Sequence, residues 1–389
     1  MHHPNPRAWV AGLRRLLSRG PHHRDRLAEI DTKLVVSGTR GKSTLTRWLY
    51  ETLYGRGYDA AAKITGNQPV VLHNGESHPI ERDGDVTLYE NVAEVREHTP
   101  DDALVLENQA ISPYTTRLVN QSFAEADVVV LANAREDHLS TLGSDRAGIA
   151  RAFARSIPAG THVVNAERDD EIRAYLDAEL PRRGATVSHV TVPDEYSHVP
   201  GIESVYAVNH VLAEIGEAPL SAGERDAYRG ELHVEWTHVP GGRVFNAAEV
   251  NDVQSTELMR QALTDDGSEP VVPLLYLRGD RRGRTTSFLR YLNDLYAREG
   301  QDAFPVVHAV GATTAAFKAR ADFPVVTHDD GEESASMVLD ETLETGFPVL
   351  VMGNTVAEFM RSLETEIEAR ADEYRTDTGG DESVATLEA

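Results

Sequence analysis

The stretch Lys33-Leu-Val-Val-Ser-Gly-Thr-Arg-Gly-Lys-Ser-Thr44 carries a short apolar strand into two glycines and a Lys-Ser pair, at the point where a helix should begin. Gly38 and Gly41 let the backbone turn with its N–H groups inward, and the following helix presents its positive N-terminus to an anion. Lys42 adds a full charge, and the Ser43 hydroxyl is of the type that holds Mg²⁺. The commoner mononucleotide pattern has a glycine five residues before Gly41, where this chain has Val36, so the loop is the shorter Gly-Thr-x-Gly-Lys-Ser form. An ordinary glycine turn before a helix is the alternative. The register of Gly, Gly, Lys and Ser-Thr after a strand argues for phosphate binding instead.

Working outward, residues 34 to about 192 alternate short β-branched runs with amphipathic stretches. The pattern predicts strands at Leu34–Ser37, Ala60–Ile64, Leu104–Leu106, Val128–Leu131 and Val163–Asn165, with helices near 43–55, 91–98, 114–122, 145–156 and 169–179. Such alternation implies a doubly wound parallel sheet with ligands at the carboxyl ends of its strands. Residues 66–90 interrupt it as a polar excursion, either a hairpin or a mobile loop. A helix is expected over Ser204–Ile215, and a second, smaller Rossmann-like α/β set from Arg243 onward. The expected organisation is a basic N-terminal segment (1–30), a central nucleotide-binding domain (31–240), a C-terminal α/β domain (241–371) and an acidic disordered tail (372–389).

The 389 residues carry a net charge of −25 and no cysteine. The first argues against nucleic acid as a partner, which needs a basic face. The second excludes disulfides and thiolate chemistry and fits a cytoplasmic setting. Lysine occurs only at Lys33, Lys42, Lys63 and Lys318, on a surface dominated by Asp and Glu, a composition similar to that of proteins from salt-loving archaea. No apolar run reaches the ~20 residues of a membrane helix. Trp9–Leu17 reads either as a helix packed on the first domain or as one lying on the inner face of a membrane.

Two further strand ends carry oxygen and nitrogen ligands: Leu104-Val-Leu-Glu107-Asn-Gln-Ala, and Val128 to Gly143 with its Glu-Asp-His138 core. A carboxylate at a strand end beside a phosphate loop can hold Mg²⁺, and a histidine from the next strand can serve a second ion. With these segments, Lys63-Ile-Thr-Gly66, Ile157-Pro-Ala-Gly-Thr-His-Val-Val164, Asn246–Thr256 and Arg278-Gly-Asp-Arg-Arg-Gly-Arg-Thr285, the chain resembles the Mur ligase superfamily. Within it the similarity is greatest to the ligase subunits of poly-γ-glutamate synthases.

The resemblance implies an ATP-dependent amide ligase that polymerises glutamate through γ-linkages by way of an acyl phosphate. It assigns Gly38, Thr39, Arg40, Gly41, Lys42, Ser43 and Thr44 to the ATP phosphates, Ser43, Glu107 and His138 to Mg²⁺, Asn209 to adenine, and Arg278 to the approach of the C-terminal domain. Lys42, Glu107, His138 and Asp252 become the expected catalytic set. Asp252 reads either as a group orienting the amine or as a cap before Ser255. Arg278, Arg281, Arg282 and Arg284 read either as ligands for a polyanionic product or as a solvated loop. Implied partners are glutamate, the growing poly-γ-glutamate and a small membrane subunit of the synthase; a homo-oligomer stays open.

The chain departs from the cell-wall and folate ligases at Ser140, where they carry aspartate, and at Ala152-Phe153, where they carry a lysine that becomes carbamylated. Asn251-Asp252 is similar to the Asn-Asp of the poly-γ-glutamate group. The alternatives are a folylpolyglutamate-like or cofactor glutamate ligase, a non-catalytic nucleotide-binding subunit of an envelope assembly, and a plain P-loop kinase.

Overall fold

In a computed structural model, which describes residues 20–66, 69–82, 87–110, 112–135, 142–143, 145–248, 250, 252–264, 267–353 and 357–377, the strand β1 (Thr32–Ser37) lies inside an eight-stranded sheet with its last four residues buried. A strand covered on both faces has no polar side to show, which is why Leu34-Val-Val reads as an unbroken apolar run. The other strands are β2 (Ala60–Ile64), β3 (Val70–His73), β4 (Glu76–Pro79), β5 (Ala103–Glu107), β6 (Val128–Leu131), β7 (His162–Asn165) and β8 (Thr186–His189), in the order β4-β3-β2-β5-β1-β6-β7-β8. All neighbours pair in parallel except the edge hairpin β3–β4 and its junction with β2.

The chain moves to one side of β1 for β2 and β5, then crosses to the other side for β6 to β8. The carboxyl ends of β1 and β6 therefore flank a topological switch point, where loops diverge and leave a crevice. Pairing register sets Val36 beside Glu107 and Ser37 beside Leu131, so three strand ends stop at one level.

A helix over residues 20–29 (α1) belongs to this first unit through buried Leu27 and Ile30. Helix α2 (Lys42–Gly55) packs on the sheet. It also carries α8 (Ala222–Glu231): Trp48 stacks on Tyr228 at 4.7 Å and donates its indole N–H to Glu231 at 2.8 Å. Between them lie α3 (Glu90–Glu97), α4 (Pro113–Leu118), α5 (Arg146–Ser156), α6 (Asp170–Glu179) and α7 (Ile202–Glu214).

The second unit takes up at His233, with residues 198–200 also assigned to it. Its six strands run β13-β12-β11-β14-β10-β9, from β9 (Thr237–Val239), β10 (Gly242–Asn246), β11 (Val272–Leu277), β12 (Val307–Gly311), β13 (Val325–His328) and β14 (Val349–Met352). Only β9 is antiparallel, and α9 (Val253–Leu263), α10 (Arg282–Glu299), α11 (Thr314–Lys318), α12 (Ala335–Leu343) and α13 (Glu358–Asp377) connect or cover the rest.

Two expectations, the domain division and the start of the tail, change, and the alternative left open for the polar excursion is decided. The division falls before residue 241, because β9 pairs with β10 and so belongs to the second sheet. Residues 70–79 of the polar excursion are a hairpin whose turn, Asn74-Gly75, has positive φ at both positions. The tail expected from Asp372 begins as helix: α13 continues to Asp377, with Arg375 paired to Asp372 and Tyr374 stacked on His238 at 5.7 Å. The segments Trp9–Leu17 and 378–389 lie outside the described residues.

Candidate functional site

The loop after β1 reaches α2 through Gly38 at φ 125° and Gly41 at φ 75°, both in the region that favours glycine. A Cβ on Gly38 would stand 3.0 Å from the backbone nitrogen of Asn133 and 3.1 Å from Ala132 Cβ, so only glycine lets the loop lie against the end of β6. Asn133 then grips the loop. Its side-chain oxygen accepts from Thr39 Oγ1 at 2.7 Å and from the Arg40 N–H at 3.0 Å, and its Nδ2 donates to the Arg40 carbonyl at 3.1 Å. Thr39 Oγ1 in turn accepts from the Arg135 N–H at 2.8 Å. The backbone is fixed in advance, so little ordering cost is left for a ligand to meet.

Glu107 ends β5 and is 4% exposed. Its Oε2 accepts from Ser43 Oγ at 3.0 Å and from the Thr65 N–H at 2.7 Å. Two hard oxygen donors at the first turn of α2 are the chemistry Mg²⁺ takes, with one or two protein ligands and the rest from water and phosphate. Lys42 Nζ donates to the Thr39 carbonyl at 3.3 Å, folded over its own loop. Gly38 to Thr44 and Glu107 thus share one strand-end crevice. His138, the expected second ligand, lies outside the described residues, as does Asn251.

The remaining expected residues have structural partners. Asn209 on α7 accepts the Leu220 N–H at 2.7 Å through Oδ1, which ties down the connection to α8. Asp252 caps α9: Oδ1 accepts the Ser255 N–H at 2.9 Å and Oδ2 accepts Ser255 Oγ at 2.5 Å. Both oxygens are occupied by the helix start. Arg278 is held by Asp280 through two bonds at 2.8 and 2.6 Å. In the second unit a cavity of about 370 Å³ opens at the carboxyl ends of β11 and β12, lined by Tyr276, Arg278, Asp280, Gly311 and Asp330 among others. Tyr276 donates to Asp330 at 2.6 Å, and burial together with that bond pushes its hydroxyl up to about 12.

Sequence reasoning missed two features. One is the Asn133 clamp. The other is a buried ion network beside Glu107: Lys63 Nζ, on a residue 1% exposed, reaches Glu90 Oε1 and Gln109 Oε1, each at 2.8 Å. Arg82 grips the same Glu90 at 2.8 and 2.9 Å. Burial pushes the Lys63 ammonium down, opposed by Glu90. Burial works against the Glu90 carboxylate too, yet the bonds from Arg82 and Lys63 outweigh it and hold its pKa below the ordinary value. On the opposite flank Arg135 pairs with Glu203 at 3.2 Å, where burial pushes the carboxyl up against the pull of the arginine.

Comparison with known proteins agrees with this geometry. Residues 36–206, which contain the phosphate loop, Glu107 and Asn133, match the Mur ligase middle domain. The chain is 26% identical over 317 residues to the capsule biosynthesis protein CapB of Bacillus anthracis, a match covering 75% of this chain and 66% of that one. It is 25% identical over 291 residues to the PGA synthase CapB of Bacillus subtilis (strain 168), covering 68% and 72%. The matched part is thus just under two thirds of the Bacillus anthracis relative's length. Among solved structures, Escherichia coli FolC in complex with ADP has a TM-score of 0.62 at 17% identity, over 95% of this chain and 98% of that one. The bifunctional folylpolyglutamate synthase/dihydrofolate synthase of Yersinia pestis, complexed with AMPPNP and Mn ion, has 0.60 at 16%, over 95% and 100%. These two likenesses establish the α/β fold. Among the described residues no helix is long and apolar enough to cross a membrane. Residues 36–206 of the chain are thus similar to the middle domain of the Mur ligases, a family of ATP-dependent amide ligases.

Proposed function

We propose that this chain is an ATP-dependent ligase that lengthens a glutamate chain through γ-carboxylates. The observation that carries the reading is the convergence of the clamped loop, Lys42, Ser43 and Glu107 on one crevice, in a chain whose curated relatives are a capsule biosynthesis protein and a PGA synthase.

Amide formation from a free carboxylate is uphill because oxide is a poor leaving group. In the proposed reaction the γ-carboxylate at the end of the chain attacks the γ-phosphorus of ATP, the bond to ADP breaks, and an acyl phosphate forms. The amine of the next glutamate attacks that carbonyl, loses a proton, and inorganic phosphate departs. The loop N–H groups and the start of α2 hold the triphosphate. Lys42 swings from the Thr39 carbonyl to the transferring group and offsets its charge. Ser43 and Glu107 would hold Mg²⁺, which supplies charge neutralisation across the phosphates when bound. The resemblance adds His138 for a second ion. Asp252 is given no chemical step, since both its oxygens are engaged in the cap.

The cavity ringed by Tyr276, Arg278 and Asp280 is the proposed place for the incoming amino acid, with Arg281, Arg282 and Arg284 proposed to meet product carboxylates. A small membrane subunit and attachment at the inner membrane face belong to the same reading. A second reading, single-glutamate addition to a folate-type acid, rests on the fold shared with FolC. Incubation with ATP, Mg²⁺ and labelled glutamate in high salt, followed by sizing of the product, separates them. Long anionic polymer supports the first. A folate adduct of one residue, formed only when folate is added, replaces it with the second.

A further inference from the structure

Two buried histidines share one face of the second sheet. His308 is the second residue of β12 and His328 closes β13; they are 2% and 4% exposed. Strand alternation puts His308 on the side of Val310, which packs with Val338 and Leu339 of α12. The imidazole rings stack at 5.2 Å with 16° between their planes, and His308 Nδ1 stands 2.9 Å from His328 Nε2. The other nitrogen of His328 lies 2.7 Å from Glu333 Oε2. Glu341, on the exposed side of α12, brings Oε2 to 4.0 Å from His328 Nδ1. One ligand atom from each of His308, His328 and Glu341 falls within 4.8 Å of the other two.

The Glu333 carboxylate fixes a tautomer. Accepting the Nδ1–H of His328 leaves the Nε2 lone pair pointed at His308. A carboxylate behind an imidazole, orienting it and raising its basicity, is the outer-sphere arrangement found at histidine-ligated metals. Two imidazole nitrogens 2.9 Å apart are near the donor spacing of a tetrahedral ion, about 3.3 Å for metal–nitrogen bonds of about 2.0 Å. Two nitrogens and one carboxylate suit zinc-class ions and not the oxygen-seeking Mg²⁺ or Ca²⁺.

We propose that His308, His328 and Glu341 form a site for a divalent transition cation of the zinc class, with Glu333 as its outer carboxylate. The site lies on the second sheet, whereas Ser43 and Glu107 lie on the first. On metal entry the proton between the two rings moves from His308 Nδ1 to its Nε2, and both facing nitrogens then offer lone pairs.

The test is a Co²⁺ titration of the full chain, free of nucleotide and in excess Mg²⁺, followed by visible ligand-field absorption. The account expects a band that saturates at one equivalent and is erased by one equivalent of Zn²⁺. Glu341→Gln, at an exposed position, should weaken Co²⁺ binding by at least about 10-fold with an unchanged circular dichroism spectrum. His328→Asn should remove the band. A second histidine cluster, His73, His78 and His98, stands in the first unit and supplies the control. A band that is lost in His98→Ala and kept in Glu341→Gln overturns the proposal. So does a wild-type protein that shows no saturable band, which would leave Glu333, His328 and His308 as a hydrogen-bonded chain within the core.

Discussion

The Ser43 hydroxyl donates to Glu107 Oε2 across 3.0 Å, joining the first turn of α2 to the end of β5 over 64 positions of sequence. In the proposed reading both oxygens would turn to Mg²⁺ when ion and nucleotide are bound. Ser43→Ala should therefore leave the fold intact and weaken Mg²⁺-dependent nucleotide binding by about 1–3 kcal/mol, the worth of a hydrogen bond to a charged group. Calorimetric titration with a non-hydrolysable ATP analogue, with and without Mg²⁺, reads this. Equal Mg²⁺ enhancement in wild type, Ser43→Ala and Glu107→Gln would remove the pair from metal binding.

Asn133 holds the loop by three side-chain hydrogen bonds. Asn133→Ala strands the Arg40 N–H and carbonyl and the Thr39 hydroxyl, so it should cost about 1–3 kcal/mol of stability and lower nucleotide affinity beyond that of a neutral surface variant. Asn133→Asp keeps the acceptor and loses the donor to Arg40, and is expected to fall between. Identical nucleotide affinity in all three proteins would mean that the loop needs no clamp.

Glu90 is the shared partner of Lys63 and Arg82. Glu90→Gln leaves the Lys63 charge buried with only Gln109, an expected loss of about 3–5 kcal/mol, whereas Lys63→Met leaves Glu90 to Arg82 and should cost much less. The pH dependence has a definite sign. A carboxyl whose folded pKa is depressed contributes stability that is complete above its ordinary 4.5 and is lost as pH falls through the folded value. Urea unfolding of wild type should weaken in that acidic window, and the slope should flatten in Glu90→Gln.

Asp252 starts α9 with its carboxylate on the Ser255 N–H and hydroxyl. If capping is its role, Asp252→Ser should retain turnover and Asp252→Ala should lower stability by about 1 kcal/mol. Loss of turnover in both variants at unchanged melting temperature would restore a chemical role.

The strand, loop and helix around Gly38–Thr44 were readable because their signals are local: an unbroken β-branched run, two glycines, then residues that start a helix. Glu107 was readable as a carboxylate at the end of an otherwise apolar strand. The Asn133 clamp was not, because its partners at Thr39 and Arg40 are 94 and 93 positions away and an asparagine after a strand looks like any turn residue. The β3–β4 hairpin did carry a signal, the Asn74-Gly75 pair that suits a two-residue turn with both φ values positive. Asp252 was ambiguous for a physical reason, since one carboxylate before Ser-Thr-Glu serves equally as cap or as base until its bonds are seen. His308 and His328 meet only because β12 and β13 are parallel neighbours, a fact of topology that neither strand announces.

The most direct test of the account follows oxygen. Glutamate chains and free glutamate, both carrying ¹⁸O in their free γ-carboxylates, are incubated with the protein, ATP and Mg²⁺, and the released phosphate is examined by mass. Transfer of one ¹⁸O into inorganic phosphate for each amide formed, absent in Lys42→Ala, is the predicted result. Phosphate released by the wild type without ¹⁸O would mean that ATP is hydrolysed by water and that no carboxylate is activated.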